Sequence, residues 1–522
     1  MAVELNDVKD PGRDLVSNNP EKITENIAMA ANYGEFPYPD AINRLNYYDY
    51  YTKLFMGDHF NAFSIAIDNE QWGRAYARLR YVMVNFAGLV SKVIADFLFS
   101  EPITIKCPDG DQEFIDALVR QNHLDTQLYE SALTNSYLGD DLFKLRAGPR
   151  NFGENSTVII ENTTPKIYFP KVNPFNVREQ PNDVELAWTF TQNNIKYLRK
   201  EIHSPGQIRN EVWELKGNKI VAQVDISILG IPNLQPLVPT GINRPLIYHV
   251  ANWKTGNRHF GISDYFDLDS LFFAINNRMT KTDNILDKHS DPILMVPPGV
   301  LDEKGQVKKK ALGVIEVGEG ETGKPEYIVW DASLDNAFKQ IEGLVNNLLM
   351  TAEISKDVFG MGTGQSDSGR ALKYKLLRTI AKASRKKLYY DAAIKDMLYT
   401  AQIWAKQLGL TVDGKKLQGD PSPIEIDWKD GIPTDETEQI ENEVKAVDAG
   451  LTSKKASIMR IYGVDEATAE KMLKDIEKEK PKIELPSMKV GANGNGDNMD
   501  NMDGMNGNDK TKNGMNKNMS MS

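Results

Sequence analysis

The chain has 522 residues, enough for about three or four domains with sizeable buried cores. Hydrophobic residues at 41% and charged residues at 26% are the ordinary balance of a soluble globular protein. The formal charge of −11, from 62 basic against 73 acidic residues, excludes global basic character as a means of attracting nucleic acid. Any DNA contact must come from a local patch.

Residues 1–20 read as a flexible N-terminus, and residues 1–10 are too polar and acidic for a signal peptide. Residues 21–100 read mainly as helices. An aromatic-rich helix through Tyr47, Tyr48, Tyr50 and Tyr51 should end at Gly57. The most apolar segment, residues 81–99, is interrupted by Lys92 and Asp96. It falls short of the roughly 20 apolar residues a membrane span needs, so it reads as a buried helix and no membrane partner is expected. Pro102 stops it, a short strand follows at 103–107, and helical spacing returns at 112–137. Cys107, the only cysteine, excludes an internal disulfide and a thiolate zinc cluster; it reads as an inert buried thiol in a reducing cytoplasm.

From Asp141 to about Val250 the period changes to short β-branched or aromatic runs, at 158–160, 166–169, 186–190 and 211–215, separated by Pro, Asn and Gly. Residues 216–219 (Lys-Gly-Asn-Lys) should turn a hairpin. Ser263 is a good N-cap for a helix running to about Ser290, with Asp264, Asp267 and Asp269 in its first turns where the dipole favours them. Residues 291–332, with Gly299, Gly305, Gly318, Gly320 and the triplet Lys308, Lys309, Lys310, read as strands and turns between two helices.

In the next helix Leu334, Phe338, Ile341, Val345, Leu348 and Ala352 form an apolar stripe that must pack on another helix. A glycine-rich loop at 356–368 leads into a helix over 369–408, about 60 Å long at ~1.5 Å per residue. Its narrow apolar stripe suggests burial against other chains, with an intramolecular hairpin as the alternative. Residues 424–428 read as a strand returning to the β lobe, and 434–480 as two or three short helices, one capped by Thr452 or Ser453. From Gly491 onward 21 of 32 residues are Asn, Gly or Met, a composition that cannot offset the entropy of ordering.

No catalytic constellation is legible. The six histidines are scattered, with no His-Glu-x-x-His. The loop at 360–369 lacks the Lys-Ser/Thr of a phosphate-binding P-loop and follows a helix instead of a strand. Asp140 and Asp141 read as solvated turn carboxylates rather than a metal site. Neither metal nor cofactor is expected. What remains is the start of the long helix, where residues 370–387 carry eight basic side chains and no acid. Two readings fit: a face paired with neighbouring acids, or non-specific contact with phosphates.

The order of features over residues 20–480 resembles the portal protein family of tailed bacteriophages. The resemblance rests on residues 50–57, on the buried helix from Asn85 to Pro102, on Gly261-Ile262-Ser263-Asp264, on Phe359-Gly360, and on Ser368-Gly369-Arg370-Ala371-Leu372-Lys373. It implies an α+β fold, mostly helical, with long stem and tunnel helices, a β-rich wing lobe, a small α/β clip and a helical crown. The implied division is wing 21–262, stem helices 263–290 and 333–355, clip 291–332, tunnel loop 356–368, long wing/tunnel helix 369–410, return strand 411–433, crown 434–482 and a disordered tail 483–522. It implies a homo-oligomeric ring, typically a dodecamer, at one vertex of the virion capsid, made in the host cytoplasm and without enzymatic activity of its own. Double-stranded DNA would pass through it, with Lys356, Gly360, Gly362, Gly364, Gln365, Arg370 and Lys373 nearest the duplex. The implied partners are the terminase large subunit, the head–tail adaptor, and the major capsid and scaffolding proteins; Lys308, Lys309 and Lys310 would contribute to docking on the clip. A DNA-processing enzyme subunit (motor or nuclease) and a helical scaffold or adaptor without a channel are the alternatives.

Overall fold

The computed structural model describes residues 34–64, 81–151, 154–173, 175–232, 234–256, 258–290, 293–296, 314–316, 326–328, 334–361, 369–429, 436–464 and 466–479. They fall into two compact units that divide after Asp435. The fold is mixed α+β. No helix among the described residues is long and apolar enough to cross a membrane.

The first unit is organised around one large apolar core. Helix α1 (Ile42–Phe55) buries Tyr47, Tyr48, Tyr51 and Leu54, an i, i+3, i+4 set, and the chain turns away at Gly57, whose φ is +79°. Helix α2 (His59–Ala62) is a single turn. Residues 81–85 lie outside helix and strand, and side chains partner their backbone: Val82 N–H donates to Thr280 Oγ1 and Val84 N–H to Asn276 Oδ1, both at 3.0 Å. Asn85 then caps helix α3 (Phe86–Phe99), accepting from Gly88 N–H at 2.9 Å. Most of α3 is buried, including Ile94 and Ala95. Strand β1 (Thr104–Lys106) follows, then helices α4 (Gln112–Gln121) and α5 (Leu124–Leu138), separated where His123 takes φ +48°.

The β-rich part holds two sheets. In the first, β10 (Ile247–Ala251), β2 (Asp140–Gly148) and β3 (Thr157–Thr163) run antiparallel in that order. In the second, β4 (Tyr168–Pro170), β5 (Val184–Gln192), β6 (Ile195–Ser204), β7 (Gln207–Lys216) and β8 (Lys219–Val224) pair in sequence, and β9 (Leu237–Pro239) adds to β7. The β7–β8 hairpin turns at Gly217 and Asn218, as expected, with Gly217 at φ +63°.

Helix α6 (Asp269–Ser290) starts five residues later than an N-cap at Ser263 suggested. Ser263 Oγ accepts from Tyr265 N–H at 3.0 Å and donates to the Tyr137 carbonyl at 2.8 Å, so it forms a turn before the helix. Asp264 is thereby withdrawn from the helix end into the interior. Beyond α6, β11 (Ile293–Val296) pairs parallel with β12 (Val314–Glu316) and antiparallel with β13 (Glu326–Ile328). Gly299, Gly305, Lys308, Lys309, Lys310, Gly318 and Gly320 lie outside the described residues.

Helix α7 (Leu334–Thr351) packs on α6. Leu348 and Ala352 of its stripe are buried, whereas Phe338 is 51% exposed. Helices α8 (Gly369–Lys375) and α9 (Leu377–Leu408) are the expected long helix with a one-residue interruption at Leu376. Much of α9 is buried within the chain, where Tyr390, Ile394, Met397, Leu398, Ala401 and Trp404 enter the main core, whereas Leu377, Leu388 and Leu408 are 58%, 72% and 50% exposed. Strands β14 (Thr411–Val412) and β15 (Lys415–Lys416) form a small hairpin. The return strand β16 (Glu425–Asp427) pairs with β1, Ile426 opposite Ile105, and not with either sheet of the β lobe.

The second unit contains α10 (Glu436–Asp448), α11 (Lys454–Tyr462) and α12 (Glu466–Glu479). Ser453 caps α11, accepting from Ala456 N–H at 3.1 Å. Arg460 grips Glu443 with two hydrogen bonds of 2.7 Å and holds that carboxyl down to about 2.

Candidate functional site

The region singled out in the sequence, where α7 hands over to α8 and α9, is held together by charge. Helix α7 ends in a Schellman-type cap, with Ile354 N–H donating to Leu349 O at 2.8 Å. The residue forced into the left-handed region there is Glu353, at φ +59°, where glycine is the usual occupant. Its carboxylate meets Arg385 at 2.7 Å and Arg378 at 3.3 Å, both from α9. Thr379 accepts from Ser355 N–H at 2.9 Å, and Lys382 donates to the Ala352 carbonyl at 2.9 Å, so α9 supplies partners for the backbone at the α7 terminus.

Deeper in, Lys382 and Lys386 converge on Asp264, at 3.1 and 2.6 Å. Asp264 also accepts from Ser136 Oγ at 2.6 Å, and Lys386 donates to Asn252 Oδ1. Burial alone would raise the Asp264 carboxyl, but Lys382 and Lys386 outweigh it and hold it well below the usual carboxylate range. Burial pushes Lys386 down to about 8, with Asp264 pulling the other way.

Two glycines make this geometry possible. Gly139, at φ +89°, and Gly261 cross so closely that a Cβ on Gly261 would sit 1.9 Å from the Gly139 carbonyl oxygen. Asp264 N–H donates to Ser136 O across the same crossing, at 2.9 Å, which fixes the carboxylate beneath α9.

Thus five members of the basic run, Lys375, Arg378, Lys382, Arg385 and Lys386, are committed to acids of the same chain. Lys375 meets Asp357 at 3.6 Å, joining the two ends of the glycine loop. Lys387 reaches the Lys429 carbonyl and lies over Trp428. The paired reading describes these positions. Lys356 and Lys373 are exposed, on opposite sides of the loop. Lys356 begins a 3₁₀ turn, Lys356–Phe359, that ends at Gly360 with φ +66° and open space around its Cα. Gly362, Gly364 and Gln365 lie outside the described residues, as does the side chain of Arg370.

The acids Asp140 and Asp141 are buried in β2, not solvated in a turn. Asp140 accepts from Tyr48 Oη at 2.6 Å and Gly261 N–H at 2.7 Å and meets His249 Nε2 at 2.7 Å. The histidines are less scattered than their numbering suggests, since His249 and His259 stack at 5.0 Å beside Tyr168. No group of three or more His, Cys, Asp or Glu among the described residues is placed to hold a metal.

A family model described as "Phage portal protein, SPP1 Gp6-like" matches residues 185–482. That is more than half of the chain, and the chain belongs to this family. It has the role of a phage portal protein. No curated protein matches the chain. Among solved structures, chains of the "Virion of native gene transfer agent (GTA) particle" and of the "Neck of empty GTA particle computed with C6 symmetry" are similar to it. Each is 12% identical with a TM-score of 0.38, covering 75% of this chain and 93% of the other.

Proposed function

We propose that twelve copies of the chain close a ring at one capsid vertex and that double-stranded DNA passes through it during packaging and ejection. The family match over residues 185–482 carries this reading. Phe338 of the α7 stripe supports it, as a large apolar side chain 51% exposed in its own subunit and open to cover by a neighbour.

In this reading residues 21–262 form the wing, with 369–410 as its long helix and 411–433 as its return segment. Residues 263–290 and 333–355 form the stem, 291–332 the clip and 434–482 the crown. The clip, with Lys308, Lys309 and Lys310, docks the terminase large subunit and later the head–tail adaptor; capsid and scaffolding proteins surround the wing. The chain is made in the host cytoplasm and ends in the virion. It performs no chemistry itself, and nucleotide hydrolysis belongs to the terminase. The loop 356–368 handles the duplex: Gly360, Gly362 and Gly364 let it change course without Cβ strain, while Lys356, Gln365, Arg370 and Lys373 meet phosphates in any register.

Negative-stain imaging of the purified protein tests the reading. Rings with a central hole are expected; solid particles or isolated subunits at all concentrations would overturn it. Nucleotide hydrolysis or DNA cleavage by the purified chain alone would favour an enzyme.

A further inference from the structure

A cavity beside α9 holds more positive charge than its own chain neutralises. It encloses ≈560 Å³ between residues 253–254, the turn 263–268, the end of α7 and α9. On its floor Lys382 and Lys386, 7% and 3% exposed, share the single carboxylate of Asp264. On one wall Arg385, together with the adjacent Arg378, shares Glu353 in the same way. Lys254, also on the wall, donates to the His259 carbonyl at 3.4 Å and not to a carboxylate. The remaining acid of the lining is the exposed Asp267. The two buried lysines therefore share one carboxylate, while Arg378 and Arg385 stay open to solvent, and burying a cation without its own counter-charge is costly.

We propose that this cavity receives an aspartate or glutamate side chain from a second copy of the chain when subunits assemble. Each lysine ammonium has three N–H donors: Lys386 donates to Asn252 Oδ1 and Asp264, and Lys382 donates to Ala352 O and forms an ion pair with Asp264. One donor on each is left for an incoming carboxylate. The mouth carries the apolar Leu388 and Trp253, 72% and 39% exposed, beside the charged Asp267 and Arg385, a mixed surface that suits a protein laid over it. Phosphates lie on a stiff, wide cylinder that cannot reach the floor of a recess, whereas a carboxylate on a short side chain can. The chain has 73 acids to offer and a net charge of −11, so a neighbour of like composition is charge-complementary to the cavity. The inference rests on the ring proposed above.

Full-length protein grown in ¹⁴N and in ¹⁵N is mixed, assembled and treated with a carbodiimide, which joins an amine to a carboxylate in direct contact. Isotope-mixed cross-links from Lys382 or Lys386 to an acid of another copy are expected. Leu388→Glu, which hangs a carboxylate from the chain's own helix at the mouth, is expected to abolish the mixed link and weaken assembly about tenfold or more. Lys386→Met should weaken assembly likewise, in protein whose circular dichroism shows it folded. Rings that form but yield only same-isotope links to Asp264 would overturn this proposal and leave the ring standing. Links that vanish only when duplex DNA is added would make phosphate the occupant and overturn it too. Failure to form any ring would bring down the ring reading first, and this one with it.

Discussion

Lys386 is the residue on which pH acts most directly. Its amine sits near 8 in the folded chain against 10.5 for the free side chain, with Asp264, Lys382 and Arg385 as the charges that act on it. Between those values the unfolded chain binds the proton that the folded chain has shed, so stability rises with pH, by up to about 1.4 kcal/mol per unit. Asp264 acts at the other end: its folded value lies below the 3.8 of a free carboxyl, so its contribution is complete above about pH 4 and is lost as pH falls further. Denaturant unfolding of the dissociated subunit from pH 7 to 10.5 should show the rise, and Lys386→Met should flatten it. Glu353 offers a second test. Gly suits its left-handed backbone better by about 1 kcal/mol, while exposed arginine pairs of this kind contribute about 0–1 kcal/mol. Glu353→Gly should therefore leave stability within about 0.5 kcal/mol of the parent. Glu353→Ala, which keeps the strain and loses the pairs, should cost about 1 kcal/mol. Gly261→Ala, whose Cβ meets backbone at 1.9 Å, should cost about 3 kcal/mol or more.

At the scale of elements, periodic segments were readable and long-range partners were not. The spacing of Tyr47, Tyr48, Tyr51 and Leu54, the hairpin at Gly217 and the cap at Ser453 announce their local structure because local physics decides them. Asp264 did not, since a carboxylate five residues before a helix looks the same whether it faces solvent or two lysines of a helix more than a hundred residues away. A signal for the buried lysines was present, however. Lys382 and Lys386 stand four residues apart in line with Tyr390 and Ile394, so they share the face that enters the core. The pairing of β16 with β1 and the stacking of His249 on His259 have no local signature. At this scale Phe338→Asp should abolish ring assembly while leaving the subunit's unfolding midpoint unchanged, as read by sedimentation velocity and circular dichroism. Lys356→Ala with Lys373→Ala should assemble normally and slow DNA packaging in a reconstituted reaction.

For the whole molecule, composition pointed away from global attraction to DNA and towards local contact, and family membership gives that picture its portal setting. The α+β class and the helical frame were legible because strands and helices alternate in blocks with distinct periods. Where each apolar stripe finds cover was not: α9 buries Tyr390 and Trp404 at home but leaves Leu388 exposed, and α7 leaves Phe338 uncovered. A sequence shows that a stripe must be buried, but not by whom. The central claim is that identical copies supply the missing cover and close around a channel. Native mass spectrometry of the purified protein tests it most directly. The account predicts one dominant closed species of twelve chains of 58.7 kDa each. A single 58.7-kDa chain at every concentration, or an open ladder of sizes without a closed species, would contradict it.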